Sequence, residues 1–362
     1  MGWDPVHLET TDVPLWRRRL RRARHSTFRR MRSRWEGRSA LPLSADAQLF
    51  FIVGKAKSGT TWLENLLDSH PEVLCRGEGR FFGNPRGAPA PGGPGAVSLA
   101  EGLLADETLK DWAQRSIWTR DARFERVAEQ AAAGMAERIM RVELARSRKL
   151  VAGDKTPLRD TGTVQQISQV LPEAKIIHVV RDGRDVAISS IHHIWNQAER
   201  DALTPALRDR QVAIRDAYRA DPDGFVDSGR SLFAPGHLQV IARSWAEITR
   251  AATKQGRALP AGRYIEVRYE DLLASGSREL ARICEFLEVD ASESIVERCL
   301  SENSFERLTG GRERGVEDPR AFFRLGVAGD WRRIFNAGDH AAFGQVAGEA
   351  LTELGYESEG VH

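Results

Sequence analysis

The sequence is poor in cysteine and carries no excess of either charge. Its three cysteines cannot form a complete set of pairs and none stands in CxxC spacing, so neither a disulfide framework nor a zinc site is predicted. The 53 basic and 51 acidic residues nearly cancel, which argues against the strongly basic surface that binds nucleic acid. A chain of 362 residues without repeats or a clear linker is expected to fold around one core.

Long apolar runs are also missing from the chain. No segment approaches the roughly 20 apolar residues of a membrane-spanning helix. The start of the chain lacks the apolar core of a secretory signal. Together with the cysteine content, these features predict a reduced protein located in the cytoplasm.

Basic residues are concentrated near the start of the chain. Between Trp16 and Arg38 there are eleven arginines and one acidic residue, Glu36. Apolar and small residues recur there at helical spacing, which would suit a basic amphipathic helix in weak contact with a membrane surface or an acidic partner. The alternative is a solvated tail. We treat residues 1–47 as a basic N-terminal arm.

The most informative segment is a glycine-bracketed loop at residues 54–62, GKAKSGTTW, which follows the apolar run at 49–53. A buried strand that turns through such a loop into a helix points several backbone N–H groups at one anion. The ATP-binding form of this loop, GxxxxGKS or GxxxxGKT, places its lysine directly after the second glycine. Here Thr60 stands at that position and the lysine is Lys57. The loop therefore predicts a phosphate site in which Lys57 would contact a different atom of the ligand from the one that the lysine of an ATP-binding loop contacts.

The stretch at 57–62, KSGTTW, resembles the phosphosulfate-binding loop of sulfotransferases that use 3'-phosphoadenosine-5'-phosphosulfate (PAPS). Three later segments fit the same family in the same order: 179–189 (VVRDGRDVAIS), 269–272 (YEDL) and 324–331 (RLGVAGDW). The resemblance implies transfer of a sulfuryl group from PAPS to an acceptor hydroxyl or amine. The product would be adenosine 3',5'-bisphosphate, and no metal would be needed.

The order of elements predicts the fold independently of the resemblance. Apolar runs predict strands at 48–53, 73–74, 150–153, 175–180 and 263–268, separated by helical patterns. This alternation predicts an α/β protein in which helices flank a central parallel sheet, a three-layer architecture like that of P-loop proteins. All the motifs fall at the carboxyl ends of strands. We assign residues 48–340 to this single domain and 341–362 to a C-terminal helix and tail.

The resemblance assigns donor-binding roles within these segments. The loop would cradle the 5'-phosphate, Lys57 would reach the oxygen that bridges phosphorus and sulfur, and Arg181 would hold the 3'-phosphate with Ser189. The predicted donor-binding residues are Lys57, Ser58, Gly59, Thr60, Thr61, Trp62, Arg181, Ser189, Tyr269, Phe305, Arg324 and Gly326. Among these, the three aromatic residues would contact adenine.

Simpler roles remain open for several of these residues. Arg181 could form a salt bridge with Asp182 or Asp185 at a helix start, and Trp62 and Phe305 could be ordinary core residues. Many relatives carry a lysine after the arginine of the last segment, where this chain has Leu325.

The residue that accepts the acceptor's proton differs from that of one branch of the family. Cytosolic enzymes that act on phenols and steroids carry KTH after the middle strand, and that histidine is the base. Here residues 155–157 read KTP, and proline cannot accept a proton. Lys155 is retained and would orient the sulfuryl oxygens.

Branches that act on carbohydrates and tyrosyl groups place a glutamate in a loop after the second strand. By this resemblance Glu78 is the predicted base, and the chain is expected to lie closer to those branches. The alternative for Glu78 is a surface salt bridge to Arg76 or Arg80. His192 and His193 are further candidates, although packing in a helix explains them more simply.

Two other functions remain open at this stage. A P-loop kinase would require a metal and a triphosphate, and the displaced Lys57 argues against it. A nucleotide-binding protein without catalysis would fit the missing histidine, but Glu78, Lys57 and Lys155 argue for an active site. The acceptor is expected to be a small molecule, lipid or carbohydrate, bound beside a mobile proline- and glycine-rich loop at 83–95.

Overall fold

A computed structural model of the protein describes residues 48–83, 99–116, 124–198 and 205–356. The predicted N-terminal arm and nearly all of the predicted loop at 83–95 lie outside these ranges.

The centre of the molecule is a parallel sheet of five strands. In chain order these are β1 (Gln48–Lys55), β2 (Val73–Cys75), β3 (Val151–Leu158), β4 (Lys175–Val180) and β5 (Tyr264–Arg268). Their order across the sheet is β2-β3-β1-β4-β5, which puts the apolar strand before the glycine-bracketed loop in the middle. Because β1 has neighbours on both sides, the loop that follows it lies among the carboxyl ends of β3 and β4.

Helices connect and cover the strands. The early helices of the described ranges are α1 (Thr60–Asp68), α2 (Leu99–Ala105), α3 (Glu107–Arg115), α4 (Phe124–Ser147), α5 (Thr163–Val170), α6 (Gly183–Ala198), α7 (Pro205–Ala220) and α8 (Pro222–Asp227). They are followed by α9 (His237–Arg257), α10 (Tyr269–Ala274), α11 (Gly276–Leu287), α12 (Glu293–Glu302), α13 (Phe305–Leu308), α14 (Trp331–Ile334) and α15 (Ala337–Glu353). Within the described ranges, no helix is both long and apolar enough to span a bilayer.

Side chains of β1 alternate between the two faces of the sheet. Phe50 and Ile52 pack on one face with apolar residues of α1, α11 and α12. Phe51 and Val53 pack on the other face with apolar residues of α4, α5 and α9. Since successive strand residues point to opposite faces, this arrangement buries both faces and confirms the predicted α/β fold with helices flanking a parallel sheet.

One strand is longer than the sequence predicts. The expected strand at 150–153 runs from Val151 to Leu158, so the predicted end at Gly153 is wrong. The strand continues because β1 also continues and pairs with it, with Ile52 opposite Lys155 and Gly54 opposite Pro157. Proline fits because β2 ends opposite Gly153, which leaves no partner on that side for the missing N–H. Lys155 therefore lies within a strand.

The C-terminal helix α15 begins at Ala337, so the predicted boundary between residues 340 and 341 falls inside it. Its residues Phe343, Ala347 and Leu351 join a buried cluster with Trp245 of α9. This helix belongs to the same core as the elements before it.

Candidate active site

The loop after β1 is shaped by a glycine in the left-handed region. Gly59 caps α1 with φ 97°, and a Cβ atom built there would lie 2.4 Å from the ring of Tyr269. Only glycine avoids both the backbone strain and this contact. The first N–H groups of a helix have no partner inside it, so the start of α1 at Thr60 and Thr61 offers donors to an anion. Ser58 and Thr60 are buried in this loop.

The two lysines of the loop point to different surroundings. Lys55 donates to the Ser244 hydroxyl at 2.8 Å, on α9. The Lys57 amine instead lies 4.4 Å from the centre of the Phe322 ring. Burial, followed by the charges of Arg181 and Lys155, lowers the pKa of Lys57 to about 8. Two cations therefore lie near the Lys57 amine, an arrangement that would favour binding of an anion.

Arg181 lies directly after β4 and crosses to the loop. It donates from Nη1 to the Lys57 carbonyl at 3.2 Å and from Nη2 to the Val327 carbonyl at 3.4 Å. Its guanidinium is 4.3 Å from the centre of the Tyr269 ring, and it pairs with Asp185 at 3.6 Å. Its buried Nε atom has no hydrogen-bond partner. The salt bridge considered from the sequence thus exists, but Arg181 also faces the loop.

Ser189, the predicted companion of Arg181, lies further along α6 and is half-buried. Its position on the helix that starts behind Arg181 agrees with the predicted interval. Its role in binding the donor stays a prediction.

Lys155 joins the loop to the predicted base. Its amine donates to the Thr61 hydroxyl at 2.9 Å and pairs with Glu64 at 2.8 Å and with Glu78 at 3.4 Å. Glu78 also lies 3.9 Å from Arg80, whereas Arg76 pairs with Asp68. The predicted catalytic residues Lys155 and Glu78 are therefore in direct contact beside the N-terminus of α1.

The backbone on either side of Glu78 is held by two buried carboxylates. Glu64 accepts a hydrogen bond from the Gly77 N–H, and Asp154 accepts one from the Gly79 N–H at 2.6 Å. Burial is the main cause that raises the pKa of Asp154, to about 7. Neither carboxylate was among the residues predicted from the sequence.

The three predicted adenine partners are all buried. Trp62 meets Tyr269 edge to face at 6.0 Å and donates from its indole N–H to the Asn303 carbonyl at 3.1 Å. Phe305 lies against Gly326, where a Cβ atom would come within 2.4 Å of its ring. Trp62 and Tyr269 belong to the main core cluster. The core role considered from the sequence is thus present, and contact with adenine stays a prediction.

The segment before α14 is tied to the start of α6. Asp185 accepts hydrogen bonds from the N–H of Gly329 at 2.7 Å and of Trp331 at 3.2 Å. Arg324 forms salt bridges with Glu317, at 2.6 Å, and with Asp330. Gly326, with φ 72°, adopts a left-handed conformation. Arg324 is therefore held by two carboxylates, and its predicted contact with a phosphate would require an exchange of partners.

The two histidines on α6 differ in their surroundings. His192 packs against the rings of Trp195 at 4.8 Å and Tyr218 at 5.4 Å, and burial lowers its pKa. Burial, followed by the charge of Lys57, lowers the pKa of His193 to about 4. His192 is thus a packing residue, as its position on a helix suggested.

Sequence motifs did not identify Glu64, Asp154 or Phe322 as residues of this site. Glu64 follows Thr61 by three residues on one helix, so helical spacing could have placed both on one face. Asp154 precedes Lys155. Because the predicted strand ended at Gly153, the sequence did not indicate that Asp154 lies in a strand and is buried. Phe322 comes close to Lys57 only through tertiary folding.

Metal binding receives no support from this part of the chain. Among the described residues, no group of three or more histidine, cysteine, aspartate or glutamate side chains is arranged to hold a metal ion. A reaction without metal remains a prediction from the sequence.

The structure is an α/β protein with a glycine-bracketed loop at the carboxyl edge of its parallel sheet, and Arg181 and Lys155 lie near Lys57 of that loop. The family comparison is more specific. The sequence model of the sulfotransferase domain matches residues 48–355. The chain therefore belongs to the sulfotransferase family, whose reaction is sulfuryl transfer.

Individual relatives are distant. A putative protein-tyrosine sulfotransferase of Caenorhabditis briggsae is 24% identical over 254 residues, which cover 70% of this chain and 70% of that protein. Sulfotransferase 1A1 of Bos taurus is 23% identical over 183 residues, covering 47% of this chain and 52% of that one. The match thus spans about half the length of the latter relative.

Solved structures of similar proteins are also distant. The sulfotransferase domain of the Synechococcus PCC 7002 olefin synthase is 20% identical, with a TM-score of 0.47, covering 87% of this chain and 98% of that one. Mouse sulfotransferase SULT7A1, solved in complex with PAP, is 15% identical with a TM-score of 0.45, covering 86% of each chain.

Proposed function

We propose that this sulfotransferase uses PAPS as its donor and transfers the sulfuryl group to a hydroxyl or amine of a small-molecule acceptor. The observation that carries the proposal is the position of Lys57. Lys57 precedes the second glycine of the loop, and its amine lies close enough to Arg181 and Lys155 for their charges to lower its pKa. A phosphosulfate would relieve this repulsion between like charges.

The surrounding residues fit a ligand with separated anionic groups. The N–H groups and hydroxyls at the start of α1 would hold the 5'-phosphate. Arg181 would hold the 3'-phosphate, because a guanidinium fork matches phosphate oxygens and its buried Nε atom has no hydrogen-bond partner here. The donor supplies an activated sulfuryl group, which leaves its phosphate oxygen as it bonds to the acceptor.

In this proposal one catalytic residue stabilises the charge on the departing oxygen and another accepts the proton of the acceptor. Lys57 neutralises the negative charge that grows on the departing phosphate oxygen, so it stabilises the transition state more than the ground state. Lys155 orients the sulfuryl oxygens. Glu78 takes the proton that the acceptor's hydroxyl or amine loses.

Glu78 is the base favoured by this arrangement. Pro157 occupies the position of the histidine that serves other members of the family. Glu78 lies beside Lys155, with its side chain 30% exposed, so an acceptor can approach it. If Glu78 is the base, we expect the chain to lie closer to the branches of the family that use a glutamate base.

A P-loop kinase is the less favoured alternative. Such an enzyme keeps its lysine after the second glycine, where this chain has Thr60. The sulfotransferase family match also weighs against it.

Calorimetry with adenosine 3',5'-bisphosphate tests the choice of donor. We expect the parent protein to bind this product without added metal, and Arg181→Ala to weaken binding about 10- to 100-fold because charged hydrogen bonds are lost. Arg298→Ala is the matched control, since Arg298 is an exposed arginine on α12 that pairs with Glu302 at 3.9 Å. It should bind as the parent does. Equal or tighter binding of ATP with magnesium would reject the proposal in favour of a kinase.

A further inference from the structure

Glu64 lies on the face of α1 that meets β3, and it is 7% exposed. Both of its carboxylate oxygens are used. Oε2 pairs with the Lys155 amine at 2.8 Å, and Oε1 accepts a hydrogen bond from the Gly77 N–H. A buried carboxylate is costly unless it is fully paired, so this pairing makes Glu64 a fixed point beside the loop. Glu64 contacts Gly77, the residue before Glu78, and the Lys155 amine, which itself contacts Glu78.

The Lys155 amine has three N–H donors and three partners. They are the Thr61 hydroxyl at 2.9 Å, Glu64 at 2.8 Å and Glu78 at 3.4 Å. If Lys155 is to contact a sulfuryl oxygen, it must release one of them. Of these three contacts, the one to Glu78 is the longest. Glu78 is also the more exposed carboxylate, since its side chain is 30% exposed and that of Glu64 is 10% exposed.

We propose that Glu64 is a positioning residue that anchors Lys155 and the Gly77 backbone while Lys155 exchanges Glu78 for the sulfuryl group. This inference rests on the proposed function, because that function supplies the ligand for Lys155. The exchange does two things together. It gives the sulfuryl oxygens a cation and frees Glu78 to accept the acceptor's proton.

The charges explain why a second carboxylate is needed. Without Glu64, Lys155 would have Glu78 as its only anionic partner, and the two would hold each other in an ion pair. With Glu64 in place, Lys155 remains paired when Glu78 leaves. The Gly77 N–H, bound to the same carboxylate, keeps the backbone before Glu78 in place during the exchange.

Competitive labelling with acetic anhydride tests the anchor without any acceptor. The chain has only seven lysines, so mass spectrometry can follow each amine separately. Glu64→Gln keeps the shape and an acceptor for the Gly77 N–H but removes the charge beside Lys155. We expect Lys155 to react about tenfold faster in this variant, because its amine is then held by one carboxylate, the more exposed Glu78, in place of two. Lys175, which pairs with Glu288, should react as in the parent.

Glu279→Gln is the matched control, because Glu279 is also a buried helical glutamate paired with an arginine, Arg282, at 2.7 Å. It should leave the labelling of Lys155 unchanged. If Glu64→Gln does not fold, as judged by circular dichroism, Glu64→Asp should give an intermediate increase, since it keeps the charge but shortens its reach. A general loosening would raise the labelling of several lysines together, and that result would overturn the proposal. So would unchanged labelling of Lys155.

Calorimetry separates failure of this inference from failure of the proposed function. Adenosine 3',5'-bisphosphate lacks the sulfuryl group that Lys155 would contact. Glu64→Gln should therefore bind it within about threefold of the parent, because Glu64 contacts Lys155 and the Gly77 backbone. No binding by the parent would reject the donor, whereas the labelling would still report on Glu64. A loss of more than tenfold only in Glu64→Gln would show that Glu64 shapes the phosphate site instead, and would overturn its assigned role.

Discussion

Lys57 has a pKa of about 8 in a loop that contains no carboxylate. Burial is the first cause of the lowered pKa, and the charges of Arg181 and Lys155 add to it. The sequence indicated this residue because Lys57 precedes the second glycine of the loop, whereas Thr60 follows it. It could not show how near Arg181 and Lys155 lie to the Lys57 amine, since Lys155 lies within β3 and Arg181 follows β4. The lowered pKa is thus a property of the assembled site.

The pKa of Lys57 predicts how ligand binding varies with pH. As pH rises through about 8, Lys57 loses its proton and its charge, so adenosine 3',5'-bisphosphate should bind more weakly above this pH. The ligand's own phosphates have a second pKa near 6, so their charge is nearly constant above pH 7. We expect roughly tenfold weaker binding at pH 9.5 than at pH 7 by calorimetry, a change of about 1.4 kcal/mol.

Lys57→Arg provides the control for this pH dependence. Arginine stays protonated throughout the range, so the variant should lose the part of the decrease that Lys57 causes, whereas Lys55, whose pKa burial also lowers to about 8, titrates in both proteins. An equally steep decrease in Lys57→Arg would assign the titration to another group.

At the scale of elements, the turn from β1 into α1 is the part that most depends on one residue type. Gly59 and Gly236 both cap a helix in a left-handed conformation, with φ 97° and 79°. A Cβ atom at Gly59 would meet the Tyr269 ring at 2.4 Å, whereas one at Gly236 meets nothing within 4 Å. The two sites therefore separate backbone strain from crowding.

Substitution of each glycine by alanine should show this difference. We expect Gly236→Ala to lower the free energy of unfolding by about 1–2 kcal/mol, the cost of a left-handed alanine. Gly59→Ala should lower it by about 2–4 kcal/mol, because overpacking against Tyr269 adds to that cost. Urea unfolding measures both. Equal losses would show that the Tyr269 ring moves aside freely, and would weaken its assigned role beside the loop.

Most elements could be predicted from apolar periodicity, and the exceptions have physical causes. The strand β3 runs past its predicted end at Gly153 to Leu158 and includes Pro157, whose missing N–H falls where β2 has already ended. The helix α7 ends at Ala220, and Pro222 begins the short helix α8, with Asp221 as its cap. Proline fits the first turn of a helix, where its N–H would have no partner.

At the scale of the whole molecule, the strand order β2-β3-β1-β4-β5 brings the separate motifs to one edge. The loop after β1 meets Arg181 after β4 and Lys155 within β3, and Glu78 follows β2. The sequence supplied these residues but not their pairing, because strand neighbours are set by packing over long separations. For the same reason it could not show that Glu317 and Asp330 hold Arg324, or that Glu64 holds Lys155.

The central claim is that Lys57 and Glu78 act in one reaction, sulfuryl transfer. The most direct measurement is release of adenosine 3',5'-bisphosphate from PAPS, with a mixture of phenols, aliphatic alcohols, sugars and amines as acceptors. We expect turnover by the parent, and a loss of about 100- to 1000-fold in Lys57→Ala, the usual cost of removing one group that stabilises transition-state charge. Glu78→Gln should bind the bisphosphate as the parent does but lose turnover. Full turnover in both variants would contradict the account.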